Sequence, residues 1–495
     1  MRTEKRLRPN IIVIVLDTAR AMNFSCYGYD RNTSPHIDRL AEEGTLFKNA
    51  ISPSPWTLPA HVSLFTGMHP SEHGMTEDRI SDGRNIFAMS ADQEFGNFLP
   101  EILKGAGYQT VGFSNNPWIG RNFGFDRGFE NLYEIWNPST GQSLLIKTLK
   151  KVRKSVPQKF HPALSNLKSR MSWFFPSDSG ASSTLAMLKK WLQESYSADR
   201  PLFAFFNFME PHLPYTPSPP FNRKFLDSHL KHKNIRKINQ DYLRFIASRA
   251  DMDADDFAIL RSLYDGEIAY LDSKINEIFD LAKDLKIFDR TLWVITSDHG
   301  ENIGEHRLMG HQFCLYDTLL RVPLILHHKE LFSRGKREEK HVQSSNVYFT
   351  IMDILGIQTR DLDIRRCSLL SPDLNAPVVS EHEVPLITLK TLKDRYPEFS
   401  TENLEREMRC IYFDGTKYIW KSKGRKELYD LRKDPDEQNN LIQQKPELME
   451  RLNRHLEEWT SSRNIPKEEK ADEPAASRES LDEDIKNRLK GLGYI

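Results

Sequence analysis

The sequence predicts an α/β fold in which helices flank a large, mostly parallel sheet. Short, continuous runs of β-branched and aromatic residues recur along the first two thirds of the chain, and such runs are typical of strands buried on both faces. Amphipathic patterns with helical spacing separate them. After about residue 360 the apolar runs become shorter and alternate, which predicts a small α+β subdomain at the C-terminal end.

The length and charge of the chain set its organisation. A chain of 495 residues is too long for one ordinary core. We expect a large domain over residues 1–360, a small C-terminal subdomain over residues 361–464, and a charged linker with a terminal helix over residues 465–495. The 69 basic and 69 acidic residues balance, so overall charge gives no attraction to nucleic acid.

The cysteines and the N-terminal region bear on the cellular location. Cys26, Cys314, Cys367 and Cys410 are scattered without metal-type spacing, and we interpret them as reduced thiols, although counting leaves two disulfides open. The apolar run 11–16 is too short for a signal-peptide core or a membrane span. No other span candidate is found, and we expect a cytoplasmic protein.

The elements follow in order along the chain. Apolar runs predict strands at 11–16, 45–50, 109–113, 201–209, 291–296 and 321–326. Capped or amphipathic patterns predict helices at 34–44, 98–105, 184–196, 259–285, 347–355 and 446–460, and another from Leu58 or Pro59 to Gly67. The dipeptide Asp414-Gly415 predicts a hairpin in the C-terminal subdomain.

Polar residues directly follow three of these strands. Asp17 follows the first strand, His212 follows the strand 201–209, and Asp298 and His299 follow the strand 291–296. In open α/β sheets the ligand crevice lies at the carboxyl ends of the strands. An adjacent aspartate and histidine there form half of a metal site. The alternative for each residue is an ordinary turn or helix cap.

Thr57 lies where a proline-rich loop enters a helix. A hydroxyl at this position is usually a helix cap. The same position places backbone N–H groups and the positive end of the helix dipole beside any bound anion, which suits a nucleophile that attacks an anionic ester. Arg20 follows the first strand closely enough to contact such an anion, and its alternative is a solvated arginine.

Two basic insertions interrupt the pattern, at about residues 135–180 and 220–250. Residues 143–170 contain eight Lys or Arg and no acid, with apolar residues among them. This predicts either a basic amphipathic surface for peripheral contact with anionic lipid or a solvated insertion.

At this point the motifs resemble those of the sulfatase family, and they are collinear over nearly the whole chain. They include Asp17-Thr18-x-Arg20, Pro55-Trp56-Thr57-Leu58-Pro59-Ala60-His61, Glu210-Pro211-His212, Ser297-Asp298-His299-Gly300-Glu301 and Glu427-Leu428-Tyr429-Asp430-Leu431. The resemblance implies the alkaline-phosphatase-like fold, with the catalytic domain over residues 1–360.

The departures from the family pattern concern its catalytic positions. Thr57 stands where the family has the Cys or Ser that matures to formylglycine, His61 stands where it has Arg, and His311 stands at a lysine position. A further acid that commonly follows the Arg20 position is replaced by Met22. Threonine cannot become formylglycine because its Cβ carries a methyl group, so no formylglycine is expected.

The resemblance implies a metal-dependent ester hydrolase. One divalent cation (Ca²⁺, Mg²⁺, Mn²⁺ or Zn²⁺) would bind Asp17, Asp298 and His299, and Thr57 would be the nucleophile. His212 and His311 would hold ester oxygens or protonate the leaving group, and His61 and Arg20 would be further anion contacts. The chemistry of threonine favours phosphoester or phosphodiester cleavage or transfer.

Two other functions stay open at this stage. One is a true sulfuric ester hydrolase that uses unmodified threonine. The other is an inactive family member that binds an anion, a glycan or a lipid. The expected substrate is a small-molecule, glycan or lipid-linked anionic ester, and the sequence leaves its organic part and the oligomeric state open.

Overall fold

The protein is described by a computed structural model, which covers residues 7–77, 98–137, 178–358, 364–374 and 376–463. Its strands are β1 Asn10–Leu16, β2 Thr45–Ile51, β3 Gln109–Ser114, β4 Asn131–Glu134, β5 Leu202–Phe208, β6 Thr291–Thr296, β7 Asn302–Ile303, β8 Met309–Gly310, β9 Arg321–Val322, β10 Leu324–His327, β11 Lys336–Gln343, β12 Val378–His382, β13 Met408–Phe413, β14 Thr416–Lys421 and β15 Glu427–Asp430.

The α-helices of the same residues are α1 Pro35–Glu43, α2 Thr57–Thr66, α3 Pro70–His73, α4 Leu99–Gly105, α5 Ala181–Glu194, α6 Phe221–Lys224, α7 Tyr242–Ile246, α8 Ala254–Asp284, α9 Asp317–Leu320, α10 Asn346–Leu355, α11 Leu386–Arg395 and α12 Pro446–Ser461.

Nine strands of the described chain form one large sheet in the order β11-β2-β10-β6-β1-β5-β3-β4, with β9 paired to β2. The neighbours of β1, which are β5 and β6, run parallel to it, while β10 is antiparallel to both β6 and β2. All seven residues of β1 are buried. Alternate residues face two different cores, with Val13 in one and Ile14 in the other. The predicted α/β fold with a largely parallel sheet is confirmed.

A second sheet of β12-β13-β14-β15 is antiparallel throughout, as expected for the C-terminal subdomain. Its hairpin turns at Asp414 and Gly415, whose φ angles of 45° and 72° lie in the left-handed region that this kind of turn requires. Helix α12 packs on this sheet through Leu452, Leu456 and Trp459.

Several elements differ from the prediction, and three of them have a clear physical reason. The single strand expected at 321–326 is two short strands, β9 and β10, because Pro323 between them has no N–H to donate to a ladder. Helix α8 begins at Ala254, five residues before the predicted start, where Asp253 caps it by accepting the N–H of Asp256 at 2.8 Å. Strand β11 was not predicted, because its sequence is mostly charged and exposed, as at the edge of a sheet.

Other predictions concern the cysteines, the insertions and the termini. All four cysteines are free thiols. The insertion at 220–250 forms short helices, whereas most of the insertion at 135–180 and the predicted linker and terminal helix at 465–495 lie outside the described residues. Among the described helices, none is both long and apolar enough to span a bilayer. The cytoplasmic location stays a prediction.

Candidate active site

The sheet register brings Asp17 and Asp298 together although they lie far apart in sequence. Strands β1 and β6 are parallel neighbours in which Val15 pairs with Thr296, so the residues two positions further on leave the same edge of the sheet side by side. His299 Nε2 lies 3.8 Å from Asp17 Oδ1 and 3.4 Å from Asp298 Oδ2. Ligand atoms of all three residues lie within 4.8 Å of one another, and all three side chains are buried.

Two carboxylate oxygens of this cluster have no hydrogen-bond partner and could bind a cation. Asp17 Oδ1 and Asp298 Oδ2 are buried without a hydrogen-bond partner, which is costly for carboxylate oxygens. The other oxygens are occupied, since Asp17 Oδ2 accepts from Asn116 Nδ2 at 2.7 Å and Asp298 Oδ1 accepts from the backbone N–H of His299 at 2.9 Å. Burial raises the pKa of both carboxyls, and the charge of Asp298 raises that of Asp17 further.

The imidazole of His299 is arranged as a ligand. Its Nδ1 donates to the carbonyl oxygen of Gly300 at 2.9 Å, which leaves the lone pair on Nε2, the atom that faces the two carboxylates. Burial lowers the pKa of His299 to about 3, so the ring is neutral near pH 7. Two carboxylate oxygens and one imidazole nitrogen fit a divalent cation without selecting among Ca²⁺, Mg²⁺, Mn²⁺ and Zn²⁺.

Thr57 is the first residue of helix α2, one position earlier than the predicted helix start. Trp56 is the N-cap, in extended conformation, and the helix ends at Gly67 with a φ of 69°. The Thr57 hydroxyl lies 3.3 Å from His299 Nε2 and is buried. The structure therefore places this hydroxyl beside the carboxylate and imidazole cluster, at the positive end of a ten-residue helix.

His61 lies one helical turn after Thr57. Its Nδ1 donates to the Thr57 carbonyl oxygen at 2.9 Å and lies 3.6 Å from Asp298 Oδ2. Burial lowers its pKa, whereas the charge of Asp298 opposes the shift. His61 therefore contacts both the start of helix α2 and one of the carboxylates.

His212 and His311 approach the cluster from two other loops. The ring centroid of His311 lies 4.6 Å from that of His299 and 5.2 Å from that of His212. Both rings are buried, and burial lowers the pKa of each to about 3. Their Nδ1 atoms donate to the carbonyl oxygen of Leu213 at 2.5 Å and to Glu301 Oε1 at 3.1 Å, respectively.

Arg20 is held by other partners. Its guanidinium donates to Glu305 Oε1 at 2.9 Å and to the carbonyl oxygen of Glu301 at 3.2 Å, and it lies over the ring of Tyr264. The structure thus gives Arg20 an ion pair of its own, and its role as an anion contact stays a prediction.

Sequence reasoning missed two amides beside the cluster. Asn116, two residues after the end of β3, donates its Nδ2 proton to Asp17. Asn207, near the end of β5, has its Nδ2 at 3.4 Å from His61 Nε2 and an Oδ1 without a partner. The signal for Asn207 was present, because it is a polar residue in the otherwise apolar strand Leu202–Phe208.

Comparisons with known proteins identify the family of the chain. The family profile described as Sulfatase matches residues 9–357, about 70% of the chain. The chain belongs to the sulfatase family. The profile of the C-terminal region of N-sulphoglucosamine sulphohydrolase matches residues 304–462, which contain the second sheet. The chain is accordingly a sulfatase-family hydrolase of the alkaline-phosphatase-like superfamily.

Individual relatives are distant and of two kinds. The uncharacterized sulfatase YidJ of Escherichia coli is 24% identical over 454 residues, covering 88% of this chain and 83% of the relative. The multifunctional alkaline phosphatase superfamily protein PehA of Trinickia caryophylli is 24% identical, covering 88% and 91%. The phosphonate monoester hydrolase of Agrobacterium radiobacter has the same fold, with a TM-score of 0.65, 20% identity and coverage of 92% and 96%.

Proposed function

We propose that this protein is a metal-dependent hydrolase of sulfate- or phosphate-type esters, with Thr57 as the nucleophile and phosphoesters as the favoured substrates. The observation that carries the proposal is the position of the Thr57 hydroxyl, 3.3 Å from His299 Nε2 and beside two carboxylates with vacant oxygens. A divalent cation held by Asp17, Asp298 and His299 would supply positive charge to the hydroxyl and to the ester oxygens.

Thr57 carries the covalent step. Its Oγ1 forms a bond to phosphorus while the bond from phosphorus to the leaving oxygen breaks. The hydroxyl loses one proton and the leaving alcohol gains one, so the step is balanced. Water then attacks phosphorus and breaks the bond from phosphorus to Oγ1, which takes up a proton; a monoester substrate gives phosphate and a diester substrate gives a phosphomonoester. Backbone N–H groups in the first turn of α2 face the anionic group throughout.

The choice of phosphate over sulfate follows from the same residue. Formylglycine hydrate releases sulfate by collapsing to an aldehyde, and threonine has no such route because its Cβ carries a methyl group. We align Thr57 with the formylglycine position of the family on the motif from Pro55 to His61.

The other residues assist this step. His212 and His311 would bind ester oxygens or give a proton to the leaving oxygen, and their rings lie together on one side of His299. His61 would hold the first turn of α2 against Asp298. The small-molecule, glycan or lipid-linked part of the substrate stays a prediction, as do the domain limits at 360 and 464.

Sulfuric ester hydrolysis is the second candidate, favoured by the sulfatase profile and by relatives such as YidJ. The deciding assay compares an aryl sulfate, an aryl phosphodiester, an aryl phosphomonoester and an aryl phosphonate, each with Mn²⁺, Ca²⁺ or Zn²⁺. We expect phosphoester turnover that falls at least about 10³-fold in Thr57→Ala. Thr66→Ala, at the opposite end of α2, is the matched control and should retain activity.

Two results would contradict the proposal. Aryl sulfate turnover above that of every phosphorus ester would make the protein a true sulfatase. Failure with every substrate, together with no bound metal after dialysis against the cations, would favour the inactive anion-, glycan- or lipid-binding protein.

A further inference from the structure

The loop of residues 52–56, which leads into the candidate nucleophile, is held by strand β12 of the second sheet. All five of its residues are buried, and two of them are prolines without an N–H group. Buried carbonyl oxygens need donors, and β12 supplies two of them. The Ser380 hydroxyl donates to the Ser52 carbonyl oxygen at 2.5 Å, and the N–H of Glu381 donates to the Pro53 carbonyl oxygen at 2.9 Å.

A third contact reaches the end of this loop. Trp56, the N-cap residue of helix α2, is buried, and its indole N–H donates to Glu383 Oε1 at 3.1 Å. Glu383 follows β12 directly in the sequence. An indole has one donor and no acceptor, so the carboxylate of Glu383 satisfies the only polar atom of this buried side chain.

The carboxylate of Glu383 also contacts a second segment of the large domain. Its Oε1 accepts the N–H of Glu77 at 3.0 Å. Its Oε2 has no hydrogen-bond partner among the described residues and lies 3.9 Å from His382 Nδ1. One oxygen of Glu383 therefore joins the second sheet both to the N-cap of α2 and to the backbone at Glu77.

Helix α2 needs such external contacts to fix its start. Its N-cap is a tryptophan, which offers no side-chain acceptor to the first turn, and the helix has no capping hydrogen bond. Thr57 follows this N-cap, and its hydroxyl lies 3.3 Å from His299 Nε2. A shift of about 1 Å in a reacting group can lower a rate about 100-fold, so the position of Trp56 bears directly on the nucleophile.

We propose that Glu383 is a positioning residue for Thr57, because it fixes the indole of the N-cap residue and with it the start of helix α2. The second sheet then takes part in the reaction by holding the loop of the nucleophile. The effect on turnover rests on the proposed function, whereas the position of Thr57 does not. The alternative is that Glu383 only docks the second sheet on the large domain.

Two spectra of deuterated protein test the position without any turnover. The ¹⁵N–¹H signal of the Trp56 indole, assigned by Trp56→Phe, reports its hydrogen bond. The ¹³C–¹H signal of the Thr57 methyl group, assigned by Thr57→Ser, reports the surroundings of the nucleophile. We expect both signals to shift in Glu383→Ala and to stay close to the wild type in Glu383→Gln, whose amide oxygen still accepts.

Glu381→Ala is the matched control for these spectra. The Glu381 carboxylate accepts the N–H of Ser71 at 3.0 Å and bonds Arg409 Nε at 3.2 Å, so its loss also weakens the docking of β12 on the large domain. The variant keeps both the backbone N–H that holds Pro53 and the acceptor of Trp56. We expect it to leave the two signals unchanged.

The catalytic consequence is measured with the phosphoester that the wild type turns over best. We expect kcat of Glu383→Ala to fall about 10- to 100-fold while KM changes less than about 3-fold, because the contact acts on the nucleophile and not on substrate binding. Glu383→Gln should keep most of the activity, and Glu381→Ala should match the wild type.

A double-mutant cycle tests whether Glu383 acts through Trp56. Trp56→Phe removes the donor of the same contact and should show a loss of kcat similar to that of Glu383→Ala. Because both substitutions break one contact, the double variant should lose no more than either single variant. If Glu383→Ala does not fold, Trp56→Phe decides, and wild-type kcat in that variant would contradict the proposal.

The outcomes separate the two proposals. Unchanged signals of Trp56 and Thr57 in Glu383→Ala, additive losses in the double variant, or an equal loss of kcat in Glu381→Ala would overturn the positioning role. No wild-type turnover with any ester would remove the proposed function, and the two spectra would then still decide whether Glu383 sets the position of Thr57.

Discussion

Replacing Asp298 with Asn should stabilise the protein when no metal is bound. The substitution removes one of two neighbouring buried charges but keeps the shape of the side chain. It also keeps an oxygen that can accept the N–H groups of Thr18 and His299, which Asp298 Oδ1 now accepts at 3.2 and 2.9 Å. What changes is therefore mainly the repulsion between Asp298 and Asp17.

The magnitude follows from the geometry. Facing oxygens of Asp17 and Asp298 lie within 4.8 Å, a separation at which two unit charges repel by about 3.5 kcal/mol at an effective dielectric constant of 20. A carboxyl whose pKa is raised by folding contributes stability at low pH that is lost as the pH rises above its unfolded pKa. Both carboxyls have raised pKa values, so the advantage of the variant should grow as the pH rises.

The assay is thermal unfolding in a chelator at about pH 5 and about pH 8, and then with added Mn²⁺ or Ca²⁺. For 495 residues the unfolding entropy is about 1 kcal/mol/K, so the full repulsion corresponds to a Tm increase of about 3 °C. At a free metal concentration of 1,000 times Kd, the free energy of unfolding of the wild type should increase by about 4 kcal/mol, and that of Asp298→Asn should increase much less.

The control for this experiment is Asp280→Asn, at an exposed position of helix α8, which should change neither the metal-free Tm nor the metal response. Two results would refute the reasoning. One is an Asp298→Asn variant that is less stable than wild type in chelator at both pH values; the other is an increase in its Tm on adding the cation that equals the increase for wild type. The hydrogen bonds of Asp298 would then outweigh its repulsion with Asp17.

Three further predictions concern stability and are checked by urea unfolding. Thr18→Gly should raise the free energy of unfolding by about 1 kcal/mol, because Thr18 has a φ of 60° and a buried hydroxyl without a hydrogen-bond partner. A lower free energy of unfolding would show that packing of the Thr18 methyl group outweighs the backbone strain. Lys417→Met should lower the free energy of unfolding by about 3–5 kcal/mol, because the buried Lys417 Nζ lies 2.8 Å from Asp317 Oδ1 and 2.7 Å from Glu437 Oε1. An unchanged free energy of unfolding would mean that these two acids are protonated. The free energy of unfolding of Asp272→Asn relative to the wild type should increase from about pH 4 to about pH 7, because burial raises the Asp272 pKa to about 7. A difference that stays constant across this range would contradict the prediction.

The sequence predicted the sheet and the position of the cluster for one physical reason. Short apolar runs rich in β-branched and aromatic residues favour strands covered on both faces, and the residues that follow parallel strands lie at one edge of the sheet. Each of Asp17 and Asp298 was a candidate on that basis, the family resemblance implied that they share a site, and the register of β1 and β6 brings them together. The same reasoning could not predict β11, whose charged sequence carries no apolar pattern.

The hydrogen-bond and ion-pair partners of the site side chains could not be predicted from the sequence. Asn116 contacts Asp17 and Asn207 contacts His61, and each pair comes from segments far apart in the sequence. Arg20 follows β1 as predicted, but the ion pair with Glu305 depends on a loop nearly three hundred residues away. Contacts of this kind depend on tertiary packing, which secondary-structure propensity and the spacing of motifs do not predict.

The turn at Thr18 helps to hold the cluster of Asp17, Asp298 and His299 in place. Thr18 donates its N–H to Asp298, and its carbonyl oxygen accepts from the hydroxyl of Tyr264 at 2.7 Å. The same hydroxyl accepts from the N–H of Arg20, so one tyrosine on α8 fixes both sides of the turn. A β-branched residue in the left-handed region costs about 1–3 kcal/mol and persists only where its surroundings determine it. Under the proposed function, this strained turn, the carboxylate oxygens without hydrogen-bond partners and the hydrogen-bonded imidazoles would set the positions of the charges before a cation and an ester bind.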